Sequence, residues 1–437
     1  MSSSTRLRRA MRLPLISPRL WFRRVIFWVG AMLVAVVAIV FARAADWATQ
    51  LCYTIEAGRP WLIFLVAPGG LAISVMLTLK VFQGAQGSGI PQTMAALHMT
   101  DQDAVSRILS LKVGIGKVVL TLLGLVAGAS IGREGPTVQI GAAIMHSLGK
   151  FLRLPRLELT RALILAGGAA GIAGAFNTPL AGIVFAIEEL SHSFESRTSG
   201  TVFTAVIIGG VTVLALAGNY TYFGHTSAHL DLGASVMAVI GCSVIGGLAG
   251  GAFSAMLVLA AKGIPGPFGR FVVRQPLAFA VLCGLGIAVL GFASHGQTYG
   301  TGYAQARALV EGKATMPMLF PVLKLLATVV SYVSGIPGGI FAPSLAVGAG
   351  IGHWLEPLVP PASAGAVVLL GMVAYFSGVV QAPITAVVIV MEMTDNQDIM
   401  VPLMATSFLA FGLSRLICRR PIYSALARSF LAAQERH

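Results

Sequence analysis

The chain is a succession of long uncharged apolar runs, at 61–79, 162–187, 198–230, 232–261, 275–306, 325–355 and 357–391. A helix that simply crosses a bilayer needs about 20 such residues. Several of the runs are longer and are interrupted by Gly and Pro, so they predict helical hairpins or broken helices rather than single spans. The runs are continuous and do not alternate in polarity, which excludes a transmembrane β-barrel. Only 11% of the 437 residues are charged and 56% are hydrophobic, whereas a soluble domain carries roughly 25% charge. The expected fold class is an all-α polytopic membrane protein.

The net charge of +14, from 30 Lys+Arg against 16 Asp+Glu, is read as topology, because basic residues collect at cytoplasmic ends. Nucleic acid is not an expected partner, since no soluble basic domain exists to carry it. Arg6, Arg8, Arg9, Arg12, Arg19, Arg23 and Arg24 precede an apolar stretch at 25–41. Ala42-Arg43-Ala44 imitates a signal cleavage site, but the basic and apolar stretches are both long for a signal peptide. A first membrane helix with a cytoplasmic amino end is the better reading. Arg415, Arg419, Arg420 and Arg428 follow the last apolar run, so both ends face the cytoplasm and the number of crossings is even. The expected organisation is a basic arm (1–24), two membrane halves (25–230 and 231–430) and a short tail (431–437) with no regulatory domain. The protein is placed in the cell inner (plasma) membrane, with lipid around it. Cys52, Cys242, Cys283 and Cys418 are scattered and the eight histidines form no cluster, so neither disulfides, a metal nor a cofactor is expected.

Two stretches match at a fixed offset of 204 residues: Gly167, Gly174, Pro179 and Glu188 correspond to Gly371, Gly378, Pro383 and Glu392. Gly132, Pro136 and Gly141 correspond to Gly339, Pro343 and Gly348 at an offset of 207. Duplicated halves with paired broken helices point to a transporter whose site lies at the repeat interface, commonly with inverted topology. The repeat makes asymmetry informative. Glu188 is paired with Glu392, so both are expected to do the same structural job. Glu134 faces Phe341 and Glu189 faces Met393, so these two acids are unpaired, and acids inside apolar runs are costly and usually functional.

Three Gly/Pro-rich stretches, GSGIPQ (87–92), GREGP (132–136) and GIPGGIFAP (335–343), each precede an apolar helical run. Glycine lets backbone approach a ligand closely and proline starts a helix. Each stretch therefore reads as a helix start at membrane depth, presenting free N–H groups and a partial positive charge of about half an electron. Several aimed at one point make an anion site. Irregular backbone at that depth must be buried or line a cavity.

With the following TVQIG and with PIYSALA (421–427), these motifs resemble the signatures of the chloride channel/transporter (CLC) family, in the right order from about residue 60 to about 430. The resemblance implies two inverted-topology repeats of tilted and broken helices, a homodimer with a pathway in each subunit, and chloride ions and protons as partners. It implies that the hydroxyls of Ser88 and Tyr423 and the N–H groups of Ile340 and Phe341 bind the central anion. Glu134 would be the gating glutamate, and Glu189 the internal proton-transfer glutamate found in exchangers. A prokaryotic chloride/proton antiporter is implied; the alternative is a passive chloride channel of the same fold, against which Glu189 argues. Ser88 is the residue type associated with chloride, and the intact GSGIP and GREGP patterns argue against fluoride export. One departure is Gln92, where many members carry Glu; it bears on proton access or local packing.

The plainer readings are that Ser88 caps a helix, that Tyr423 belongs to an interfacial belt and that Arg133, whose alternative is a direct anion ligand, is structural or sits at the pore mouth. Lys112, Lys117 and Lys324 are read as snorkelling, with a positive field on the anion path as the alternative for Lys117. Gly128-Ala129-Ser130-Ile131-Gly132 fits the G-x-S-x-G nucleophile pattern, but that pattern requires a strand–turn–helix and a positioned His. No enzyme activity is expected.

Overall fold

The computed structural model describes residues 18–434 except 153–156, 192–195, 219–220, 225, 227–229, 231, 314 and 361–362. The arginines of 1–17 thus lie outside the described residues. Among those residues the protein is helical, and its only extended pairings are two isolated bridges. The first half comprises α1 (Pro18–Gly58), α2 (Ile63–Lys80), α3 (Ile90–His98), α4 (Gln102–Ile108), α5 (Leu111–Val126), α6 (Glu134–Phe151), α7 (Leu157–Phe176), α8 (Pro179–Phe185), a π-helical turn (Ala186–Ser191) and α9 (Ser196–Ala217). The second comprises α10 (Leu232–Lys262), α11 (Gly266–Arg274), α12 (Pro276–Ala293), α13 (Tyr303–Val310), α14 (Phe320–Val333), α15 (Phe341–Leu355), α16 (Ala364–Val380), α17 (Pro383–Thr394), α18 (Met400–Ile417) and α19 (Ile422–Gln434). Among the described residues, seven helical stretches are long and apolar enough to cross a membrane.

Four of the long runs break as expected, into α7/α8, α12/α13, α14/α15 and α16/α17. The run at 232–261 does not: it forms one uninterrupted helix of 31 residues. Its glycines are not breaks but places of close packing. A Cβ on Gly246 would stand 2.6 Å from Ala374 Cβ, and one on Gly247 2.7 Å from the Ala410 carbonyl. With no proline in the run, nothing removes a helical hydrogen bond. The first helix also exceeds the stretch read from sequence, running 41 residues, which at about 1.5 Å per residue is far longer than the roughly 30 Å hydrocarbon core.

Lipid is apolar, so burial in such a fold sorts by packing rather than by polarity. The outer helices expose Val40, Leu65, Val211, Leu259, Phe292 and Leu416. At the centre, α16 is buried on every side from Ala366 to Val380, as expected of a helix that is apolar all round. It packs on α15, as α7 packs on α6. At these crossings the repeat glycines meet. A Cβ on Gly141 would lie 2.2 Å from the Gly167 carbonyl, and one on Gly348 2.6 Å from the Gly371 carbonyl. Small residues that let backbones touch are the glue of helices in lipid.

The two halves meet at equivalent residues. Gly132 N–H donates to the Gly339 carbonyl at 2.7 Å, and Gly339 N–H to that of Gly132 at 2.8 Å, as an antiparallel bridge. A two-fold axis between equivalent strands produces such an antiparallel pair. Asn177 and Gln381, each two residues before its repeat proline, both adopt left-handed backbone with φ of 55° and 61°. The fold is therefore a pair of inverted repeats of tilted and broken helices, closed by α19.

Candidate anion-binding site

Three helix starts converge around the Gly132–Gly339 bridge. Gly87 pairs with Pro337, and Gly338 N–H donates to the Gly87 carbonyl at 3.1 Å. This ties the start of α3 to that of α15, while the Gly132–Gly339 pair ties α6 to α15. Gly89, at φ 106°, turns the chain into α3, a left-handed conformation that glycine alone adopts readily. Gly135 lies so near that a Cβ there would stand 2.3 Å from Ser88 Oγ and 3.4 Å from Gly339 Cα. Neither Arg133 nor Ile340 caps its helix with its side chain, so no N-cap side chain occupies the N–H groups at the starts of α6 and α15.

The side chains singled out in the sequence gather here. Ser88, Ile340, Phe341 and Tyr423 are all buried. The Phe341 ring is 5.8 Å from that of Tyr423 and stacks or packs edge-on with Phe176, Phe185 and Phe376. The Tyr423 hydroxyl sits beside Ser88, within electrostatic reach of Glu134, Glu189 and Tyr332. The Glu134 carboxylate lies at the mouth of α15: Ala342 N–H faces it, and Glu134 Oε2 and Ala342 N both crowd the Cβ position of Gly132. Ser88 Oγ, Tyr423 Oη, Glu134 Oε2 and Glu189 Oε1 are buried with no hydrogen-bond partner in the protein. Such atoms are costly unless a ligand or water completes them.

Glu189 stands apart on the π-helical turn, 1% exposed. π-turns inside α-helices recur at functional sites. Its neighbour Glu188 is spent structurally, accepting from the N–H groups of Ile384 and Thr385.

Arg133 is buried and structural. It donates to the Ala42 carbonyl at 2.6 Å, to Asp46 Oδ1 at 2.7 Å and to the Tyr222 hydroxyl at 2.6 Å. Gln92 locks the loop before α3: its Oε1 accepts from Gly89 N–H at 3.1 Å, and its Nε2 donates to the Gln86 carbonyl. A Glu here could make the first bond but not the second, so the departure acts on local packing.

The snorkelling reading of Lys117 and Lys324 is overturned, because both are fully buried. Lys117 Nζ donates to the carbonyls of Ala85, Gln86 and Gly87 at 2.7, 3.2 and 2.8 Å. Lys324 Nζ donates to those of Thr298, Tyr299 and Gly300 at 2.9, 3.5 and 2.8 Å. These lysines are themselves repeat equivalents, and each pins the loop before a short helix. Lys112 is exposed. Ser130 lies on a helix-to-helix connection, its Oγ paired with that of Thr328 at 2.9 Å, which is not a nucleophile elbow.

The sequence reading missed Tyr303, whose hydroxyl donates to Glu134 Oε1 at 2.6 Å. The signal was present: Gly300-Thr301-Gly302 before Tyr303 echoes Gly87-Ser88-Gly89 before Ile90.

Residues 69–415 match the family model described as "Voltage gated chloride channel". The chain is 31% identical to the H(+)/Cl(-) exchange transporter ClcA of Yersinia pestis bv. Antiqua (strain Angola), over 93% of this chain and 87% of that one. The same identity and coverage relate it to ClcA of Yersinia pseudotuberculosis serotype O:3 (strain YPIII). Its fold superimposes on a slow cyanobacterial Cl-/H+ antiporter with a TM-score of 0.80 and 26% identity, covering 94% of this chain and 99% of that one. A CLC-type fluoride/proton antiporter shares the fold at a TM-score of 0.76 and 24% identity, covering 92% and 98%.

Proposed function

The chain belongs to the voltage gated chloride channel family, and from that premise we propose that it is a chloride/proton exchanger. The observation that carries this reading is the convergence of Ser88 Oγ, Tyr423 Oη and Glu134 Oε2, each buried and unpaired, on uncapped helix starts. Hydroxyls and N–H groups hold an anion without the full charge that would bind it too tightly for turnover. In this reading the anion is hydrogen-bonded by Ser88, Tyr423 and the N–H groups of Ile340 and Phe341.

Ionised Glu134 competes with chloride for the same dipoles, including the N–H of Ala342. Protonation neutralises the carboxyl, weakens its hold there and admits the anion, so one side chain links proton binding to anion movement. Glu189 passes the proton to the other face, where the anion route is a poor proton wire. The working unit is a homodimer in the plasma membrane with both termini cytoplasmic. The transported ion is chloride, consistent with Ser88 in the GSGIP loop.

The deciding experiment is the reversal potential of purified protein in liposomes under crossed chloride and pH gradients. A potential displaced from the chloride equilibrium value by the pH gradient is expected. A potential that follows chloride alone would make the protein a channel, and no current or flux at all would leave a receptor or scaffold.

A further inference from the structure

Glu134 is held at Oε1 by Tyr303, which lies outside the four stretches that carry the family resemblance. Tyr303 is the first residue of α13, set by Gly302 at φ 84°, and its hydroxyl donates to Glu134 Oε1 at 2.6 Å. The ring cannot swing freely. It stacks on Tyr222 at 5.1 Å and 26°, and it packs on Phe223 at 5.5 Å. The Arg133 guanidinium lies 5.4 Å from its ring centre and 5.1 Å from that of Tyr222. Lys324 fixes the loop behind it through the Gly300 carbonyl. Arg133 also reaches Asp46, whose side chain is 63% exposed, so the cluster runs from the protein surface to the buried carboxylate.

We propose that Tyr303 is a positioning residue that latches the ionised Glu134 carboxylate and thereby sets the pH at which exchange switches on. This rests on Glu134 being the gating carboxylate. A hydroxyl that donates to a carboxylate favours its ionised form, and a bond to a charged acceptor is among the stronger ones. Loss of the proton acceptor's charge weakens the bond, so protonation and release are coupled at Oε1, while Oε2 faces the helix start of α15. The other charged or titratable groups facing Glu134 are Arg133, whose Nε is 4.0 Å from Oε1, and Tyr423 from α19. Asp46 of α1 and Tyr222 act on it through Arg133. Lys117 of α5 is turned to the 85–87 carbonyls. From α3 and α15 come the Ser88 loop and the Ala342 N–H.

The test is the pH dependence of chloride/proton exchange by full-length protein in liposomes. Tyr303→Phe keeps the ring stack and removes only the hydroxyl. With the ionised carboxylate less stabilised, protonation becomes easier. The activation profile is therefore expected to move up by about one pH unit, a tenfold change in the protonation equilibrium. Turnover at neutral pH should rise several-fold, with the chloride-to-proton ratio unchanged. Incorporating 3-fluorotyrosine at 303 makes a better donor in the same shape and should move the profile down, which a packing role would not do. In a Glu134→Gln background, Tyr303→Phe should leave chloride flux unaltered. Superimposable profiles for Tyr303→Phe, 3-fluorotyrosine and wild type would overturn the latch. Should Glu134→Gln itself retain proton coupling, the gating assignment falls instead, so the two failures are distinguishable.

Discussion

Glu188 and Glu392 cap each other's partner helices. Glu188 accepts from Ile384 N–H at 3.1 Å and Thr385 N–H at 2.6 Å at the start of α17, and Glu392 accepts from Leu180 N–H at 3.1 Å and Ala181 N–H at 2.8 Å at the start of α8. Each helix that begins with a repeat proline therefore receives its carboxylate from the opposite half of the chain. A negative charge at a helix start satisfies orphan N–H groups and complements the dipole. The exchange locks the halves together across their pseudo-two-fold relation.

Removing one of these caps should weaken the fold without touching transport chemistry. Glu392→Gln abolishes the charge and is expected to cost about 1–3 kcal/mol, the range for bonds to charged groups and for groups left unsatisfied. Thermal unfolding of the detergent-solubilised protein should show a lowered midpoint, while proton coupling in liposomes persists. Lost coupling with unchanged stability would mean that Glu392 takes part in proton transfer.

Lys117 and Lys324 should behave alike. Replacing either by Met removes a donor shared by three carbonyls: Ala85 loses its partner in one loop and Thr298 and Gly300 lose theirs in the other, while Gln86 keeps Gln92 Nε2, Gly87 keeps Gly338 N–H and Tyr299 keeps the Tyr53 hydroxyl. Each unsatisfied group costs about 1–3 kcal/mol, and the relief of no longer burying an ammonium offsets only part of that. Both variants should unfold at clearly lower temperature than wild type. Retention of full stability by Lys117→Met alone would show that its role is the field it casts on the Ser88 loop rather than loop anchoring.

Glu134→Gln and Glu189→Gln should fail differently. The first removes the titratable competitor at the helix starts, so chloride movement persists, no proton is moved, and flux becomes independent of pH. The second keeps the competitor but breaks the inner proton route, so chloride passes with coupling lost. Proton pumping driven by a chloride gradient, read by a pH electrode outside liposomes, checks both. Continued pumping by either variant would place proton transfer on other residues.

The glycine crossings give a packing test. A methyl at Gly348 would stand 2.6 Å from both the Gly371 carbonyl oxygen and Met372 Cα, and overpacking of this kind costs about 1–3 kcal/mol. Gly348→Ala and Gly141→Ala should therefore both reduce the yield of folded protein. Gly412→Ala on α18, with nothing within 4 Å of the new methyl, should be neutral or slightly stabilising. Equal tolerance at all three positions would mean that the crossings relax easily.

Much of this architecture was written in the chain order. Apolar runs dictated membrane helices, because backbone in lipid must satisfy itself, and the repeat separated Glu188 and Glu392 from Glu134 and Glu189 by pairing alone. The pairing also covered Lys117 and Lys324, but hydropathy beside an isolated lysine suggests an escape to the interface. Only the folded chain shows three carbonyls within reach of each ammonium. The glycines of the 232–261 run were equally ambiguous, since a residue without a Cβ serves both to break a helix and to let two helices touch. Proline, by contrast, removes a donor wherever it sits, and α8, α12 and α17 all begin at one.

The sequence by itself determined which segments are helices, where four of the long runs break, that the chain is duplicated, and which acids lack a counterpart. These properties depend on neighbours a few residues away or on comparison of the chain with itself. Tertiary structure alone decided that Tyr303 meets Glu134 across 169 positions, that Arg133 is spent on Ala42, Asp46 and Tyr222, and that α10 runs unbroken. Those outcomes depend on which surfaces are brought within hydrogen-bonding distance, and a contact of about 3 Å between remote residues has no local signature in the order of amino acids.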